Sequence, residues 1–175
     1  MLRLWAVVWL AMTLSGSAWG QIPTKGNVFF GYSFDRTPVV RNDTINSNGW
    51  EASLEGKLFP FVGLVADMDG HSGSGTFGSV GAHVTEHNFV FGPRVSAQVA
   101  GFRPFAEVLI GAGHVSRSHG IDDSDTSFVN AVGGGLDYRI FGPVSVRGQL
   151  DWVETRFYSQ TQNGVRFSTG IAFHF

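Results

Sequence analysis

His114 and Ser116 are two residues apart, so an extended strand places both side chains on one face. A histidine beside a serine is the base and nucleophile half of an acyl-transfer device. The device also needs a carboxylate to orient the histidine. No glutamate follows until Glu154, and Arg117 comes directly after Ser116, so the third member is missing from the local sequence. The plainer reading is a polar pair at a strand rim. A second group, Asp122, Asp123 and Asp125 with His114 and His119, has side chains that can hold a divalent cation. Its spacing matches no calcium loop and lacks that loop's glycine and terminal glutamate, so it reads as a solvated acidic tip, and neither metal nor cofactor is expected. The largest group consists of charges at alternating positions. The acids are Glu51, Glu55, Asp67, Asp69, Glu107, Asp137 and Asp151; the bases are Lys57, Arg94, Arg103, Arg139, Arg147 and Arg166. Their near balance points to mutual pairing.

The elements that must position these groups are strands. Alternation with a period of two recurs in eight runs, 26–35, 49–58, 61–69, 86–99, 102–115, 128–140, 143–155 and 164–175, and no long stretch carries helical periodicity. Phe59-Pro60, Ala100-Gly101 and Phe141-Gly142 read as tight turns. The segments 36–48, 70–85, 116–127 and 156–163 are polar and rich in Gly, Asn, Asp and Ser, and read as long loops. This short-long rhythm predicts an all-β, eight-stranded, antiparallel up-and-down barrel.

Along each run one face is apolar and the other polar. Trp50, Ala52, Leu54, Gly56 and Leu58 oppose Glu51, Ser53, Glu55 and Lys57; Val144, Val146, Leu150 and Trp152 oppose Ser145, Arg147, Gln149 and Asp151. Alternation by itself does not say which face is inside. A soluble lipocalin-like barrel would bury the apolar face, whereas a membrane barrel would turn it to lipid. Gly133-Gly134-Gly135 lies inside a strand pattern without a following helix or lysine, so it is no phosphate loop; it allows a bend, or lets Tyr138 pack on bare backbone.

The amino terminus bears on compartment. A basic start at Arg3, an apolar run from Leu4 to Leu14 and the small-x-small site Ala18-Trp19-Gly20 read as a cleaved signal peptide, 1–20, before a barrel domain, 21–175. The apolar run is well short of the roughly 20 residues that span a bilayer as a helix. Cleavage removes one base and no acid, leaving 11 bases against 14 acids, so no basic face suggests a nucleic-acid partner. With no cysteine in an exported chain, no disulfide holds the fold.

Three features favour the apolar-outward arrangement. Phe34, Trp50, Phe89, Phe128 and Trp152 fall near the loop ends of their strands, and Phe61, Phe141, Phe173 and Phe175 near the turn ends, as two girdles would. The polar face carries Gly31, Gly63, Gly92, Gly111, Gly113, Gly133, Gly135 and Gly170, which leave room for long charged side chains. Finally, an export signal precedes a chain that closes on an alternating strand, VRFSTGIAFHF, ending in Phe175.

With GYSFDR in strand one, RPFAEVLIGAG in strand five and GIAFHF at the end, residues 26–175 resemble the small eight-stranded outer-membrane proteins of the OmpA transmembrane-domain and OmpX type. The resemblance implies location in the outer membrane, a structural role in the envelope, contact with outer-membrane lipids and lipopolysaccharide, and recognition of Phe173 and Phe175 by the barrel-assembly machinery. No peptidoglycan-binding domain is expected. Eight strands leave an interior that side chains fill, so Glu55, Lys57, Arg94, Glu107, Asp137, Arg139, Arg147 and Asp151 are expected to form a network that plugs the lumen. Function then moves to the segments 36–48, 70–85, 116–127 and 156–163, which would meet an extracellular ligand or host surface in interaction or adhesion. A narrow porin-like channel is the alternative. A second alternative follows from the likeness of His114 and Ser116 to the His-x-Ser pair of PagL-type lipid A deacylases; Arg117 departs from that pattern, which has asparagine there, and the expectation is that the protein is not an enzyme.

Overall fold

The computed structural model describes residues 25–39, 43–77, 80–118, 122–156 and 161–175, and the expected signal peptide lies outside them. Eight strands form: β1 (Gly26–Val39), β2 (Asp43–Lys57), β3 (Val62–Phe77), β4 (Val80–Ser96), β5 (Phe102–Ser118), β6 (Asp122–Phe141), β7 (Val144–Thr155) and β8 (Gln162–His174). Each pairs antiparallel with the next and β8 with β1, so the sheet closes into an up-and-down barrel. At the seam Asn27 lies opposite His174 and Gly31 opposite Gly170. Beyond β8, Gly26 N–H donates to the Phe175 carbonyl at 2.9 Å and Phe175 N–H donates to the Gly26 carbonyl at 3.1 Å. Closure pairs both outer edges of the sheet with each other, from Asn27 opposite His174 to Arg36 opposite Val165.

The turn end matches the sequence reading closely. β2 and β3 join across Leu58 to Phe61, where Leu58 and Phe59 donate to the Val62 carbonyl at 3.0 Å. Gly142 takes a positive φ of 52°, which glycine adopts without strain, whereas Ala100 takes 54° in the turn before β5. A register shift between Arg139 and Phe141 ends β6 irregularly.

The loop end differs from expectation. Much of 36–48, 70–85 and 116–127 is paired strand: β1 and β2 pair out to Val39 and Asp43, β3 and β4 to Phe77 and Val80, and β5 and β6 to Ser118 and Asp122. β8 starts at Gln162, so the segment 156–163 is also shorter than expected. Outside a membrane both faces of a hairpin meet water, so its pairing imposes no apolar alternation and a polar, Gly- and Ser-rich composition conceals it.

Burial settles which face is inside. Trp50, Leu54, Phe89, Phe128 and Trp152 are exposed on the outer wall, with Phe30 at 63%, while Arg94 and Arg147 inside are 0% exposed. Among the described residues 31 large apolar side chains are exposed and ten apolar residues are buried, the reverse of a water-soluble barrel. From Val165 to Phe175, the outward positions of β8 span about 33 Å of strand, or about 25 Å across a bilayer at a tilt near 40°, the height of a membrane barrel's apolar band.

Deleting Phe175 removes the two hydrogen bonds that it makes with Gly26 at the end of the seam. Its expected outcome is slower folding into liposomes, read as delayed appearance of the heat-modifiable band in gels; an unchanged rate would show that the seam closes without this residue.

Candidate functional site

The charged face of the strands forms the lumen, where guanidinium groups bridge strands that are distant in sequence. In the turn-side half, Arg94 (β4) reaches Glu107 on β5 through Nε at 2.7 Å and Nη2 at 2.6 Å, and Glu55 on β2 through Nη1 at 3.4 Å. Glu55 also takes Lys57 at 2.8 Å and the Asn27 amide at 2.6 Å, with Arg103 at 3.7 Å. Arg147 (β7) grips Asp137 with two parallel bonds, Nε at 2.6 Å and Nη2 at 2.9 Å, and donates from Nη2 to Asn27 at 2.9 Å. Such a fork is the strong form of the pair. The guanidinium of Arg94 also lies 4.2 Å from the Phe105 ring centre, and that of Arg147 4.9 Å from Phe29 and 4.8 Å from Phe105. These stacks supply favourable contact where water is excluded.

The loop-side half is built around Arg166 (β8), 2% exposed. It donates from Nη2 to Asp151 at 3.0 Å and from Nη1 to Asp67 at 3.3 Å, also pairs with Asp69, and lies 3.5 Å from Glu51. Gln149 joins the halves, its amide nitrogen reaching Glu107 at 2.9 Å, Asp151 at 2.8 Å and Glu51 at 3.2 Å. Above these, His71 bridges Asp69 and Ser33 at 3.0 Å each, and Ser33 accepts from Ser168 at 3.0 Å. A cluster of Val65, Val90, Leu109, Val129, Ala131 and Val153 fills the remaining wall. Glu86, half-buried and opposite His71 in the β3–β4 register, accepts from the Asn88 amide at 3.0 Å.

Glycines make this filling possible at two points. A Cβ at Gly133 would lie 2.0 Å from an Asp151 carboxylate oxygen, and one at Gly63 would lie 2.6 Å from a Glu55 oxygen. The long acids occupy the space that those residues leave bare.

Of the residues read from sequence as lumen charges, Glu55, Lys57, Arg94, Glu107, Asp137, Arg147 and Asp151 converge inside. Arg139 does not. It keeps the inward register, opposite Ser145, but is exposed because it lies at the turn end of the barrel, beyond the buried Asp137–Arg147 pair. His71, read as a loop residue, is instead 4% exposed and hydrogen-bonded within the lumen, because β3 continues past Asp69. Tyr138 stacks against Phe102, ring centres 5.0 Å apart, and the glycine run serves Asp151 and Phe105 instead. Sequence reading also missed Gln149, Asn27 and Ser168 as connectors; neutral side chains on a polar face carry no signal beyond parity.

His114 and Ser116 share the outer wall, both exposed. Ser116 Oγ lies 3.4 Å from His114 Nε2, and Nδ1, where a carboxylate would orient the ring, meets the Thr126 hydroxyl at 2.9 Å. A hydroxyl there cannot stabilise an imidazolium as a carboxylate does. The side chains of Asp122 and Asp123, and all of His119, lie outside the described residues.

A closed eight-stranded barrel with charges enclosed and an apolar belt outside defines the class: the fold is that of the small outer-membrane barrels. In structure the chain is similar to Neisserial surface protein A (TM-score 0.71, 11% identity, 86% of this chain and 97% of that one) and to Ail, the attachment invasion locus protein of Yersinia pestis (0.64, 14%, 86% and 98%). It is also similar to the N-terminal β-barrel domain of Pseudomonas aeruginosa OprF (0.51, 15%, 86% and 99%). No family model matches the sequence, and no curated protein does.

Replacing Arg94 by alanine leaves Glu107 and Glu55 buried with less compensation. The expected loss is about 3–5 kcal/mol of unfolding free energy. The double variant Arg94→Leu/Glu107→Leu is expected to recover much of it, measured by urea unfolding in lipid vesicles. Equal losses in both would mean that pairing does not decide the stability of the lumen.

Proposed function

We propose that the protein is an integral barrel of an outer membrane, with its turns toward the periplasm, a lumen plugged by ion pairs, and hairpins that project outward to meet partners. The observation that carries this reading is the inversion of faces. Each exposed Phe, Leu or Val on the outer wall would forgo about 1.5–3 kcal/mol of transfer free energy in water, and lipid removes that penalty. The same inversion makes outer-membrane lipids and lipopolysaccharide the partners of the wall. Aromatic residues at the seam, where Phe175 pairs with Gly26, support recognition of Phe173 and Phe175 by the barrel-assembly machinery.

The side chains that meet across the lumen support the plug. Phe29, Arg94, Leu109 and Arg147 are inaccessible to solvent, and Gln149 links the ion pairs of both halves across the axis. An envelope role, with interaction or adhesion through the hairpins, then fits better than transport. Ail, an attachment protein by name, has been seen with the heparin analogue sucrose octasulfate. Likeness to it supports a binding role for this barrel. The acyl-transfer reading lacks an acid at His114, so a non-enzymatic role is proposed.

Two measurements test the proposal. The mature chain is expected to require detergent or lipid to stay in solution, and to migrate differently in gels once boiled; a chain that stays dissolved and folded without either overturns the membrane reading. Planar-bilayer recording is expected to show no steady conductance, and a stable single-channel level would replace the plug with the narrow-channel alternative.

A further inference from the structure

On the turn-side half of the outer wall a groove of about 470 Å³ runs along β2 and β3. Its floor is Gly56 and Ala66, its walls are Leu54, Leu58, Leu64 and Phe91, and Phe175 closes one flank. The register explains the notch. Gly26 lies opposite Gly56, and Gly56 opposite Leu64, so two adjacent outward positions lack a side chain. The Phe175 ring leans over the first; a Cβ on Gly26 would come within 3.0 Å of its Cζ. The second stays bare. Leu58 also lines a neighbouring hollow of about 380 Å³, together with Lys25, Lys57, Phe59 and Pro60. Lys57 turns its ammonium into the lumen, onto Glu55 at 2.8 Å and Ser96 at 2.5 Å. Lys25 is exposed at the turn end.

We propose that this groove is a phospholipid site: one acyl chain lies over Gly56 and Ala66, and its anionic headgroup meets Lys25. The proposal rests on the membrane reading, which makes hydrocarbon the surrounding solvent and places the turn end in the periplasmic leaflet. A chain that leaves bulk lipid for the groove gains no hydrophobic free energy, because it was already in hydrocarbon. Retention therefore depends on shape and charge. The bare backbone lets a methylene chain contact walls on both sides, as a flat wall of side chains would not. From Leu54 to Leu58 the groove runs about 13 Å along the strand, an elongated form that suits a single chain. The apolar belt ends beside Lys25, where a phosphate would lie, so an anionic headgroup is favoured over a zwitterionic one.

The test folds the full mature chain into vesicles of mixed zwitterionic phosphatidylethanolamine and anionic phosphatidylglycerol. The barrel is extracted in mild detergent and weighed by native mass spectrometry. The expected result is one retained phospholipid, with phosphatidylglycerol enriched several-fold over its share. Ala66→Phe and Gly56→Leu, both on the outer wall, are expected to abolish the adduct while the heat-modifiable band persists, and Lys25→Glu to remove the anionic preference. A folded wild-type barrel without lipid, a dimer in place of the adduct, or retention unchanged in the filled-groove variants overturns the site. An anionic preference unchanged by Lys25→Glu overturns the headgroup assignment. Failure of the membrane reading looks different: the chain would then fold in buffer without vesicles.

Discussion

Closure of β8 onto β1 is the constraint from which the rest of this molecule follows. A lone sheet exposes a row of N–H and C=O groups at each edge, and hydrocarbon offers those groups no partner. Pairing of Asn27 through Arg36 with Val165 through His174 removes both edges. With eight strands the enclosed space is narrow, so side chains pointing inward must fill it and satisfy one another. Ion pairs, glycine gaps and aromatic stacks are the consequences.

Within that space the charge is unevenly spread. In the turn-side half, Lys57, Arg94, Arg103 and Arg147 face Glu55, Glu107 and Asp137, and the geometry includes the two-pronged Arg147–Asp137 pair. In the loop-side half, Arg166 meets Glu51, Asp67, Asp69 and Asp151, with His71 also on Asp69 and Gln149 on Asp151 and Glu51. One planar group with five donors can bridge several carboxylates at once, so β2, β3, β7 and β8 are tied through a single side chain. Val65, Val90, Leu109 and their neighbours occupy the wall that the charges do not reach. A buried ion pair is weak evidence for stability when compared with an apolar filling; here the pairs compensate charges that the closed lumen keeps from water.

The outer wall and the two ends divide the remaining work. The wall matches hydrocarbon over the height of the apolar band. Above it, outward positions such as His87, His114, Ser116 and Thr126 turn polar, while the hairpins of β1 to β6 continue as paired strand. Paired hairpins are stiffer than loops, so any partner met there finds a surface that is largely ordered before contact. That is a different surface from the four long loops that composition suggests.

The strand number, the alternation and the membership of each face were legible in the residues, because a two-residue period survives in every membrane-spanning run. So were most lumen charges: Glu55, Arg94, Glu107, Arg147 and Asp151 declare themselves by parity alone. Arg139 was misplaced because parity gives a side chain's direction and not how far the closed lumen reaches toward the turn end, and His71 because the polar stretch after Asp69 hides the continuation of β3. By itself the sequence determined two chemically opposite faces on eight strands. Only the tertiary structure decided which of them points inward, since that choice, and the pairing of Arg166 with acids as far away as Asp67 and Asp69, depends on closing the sheet into a ring.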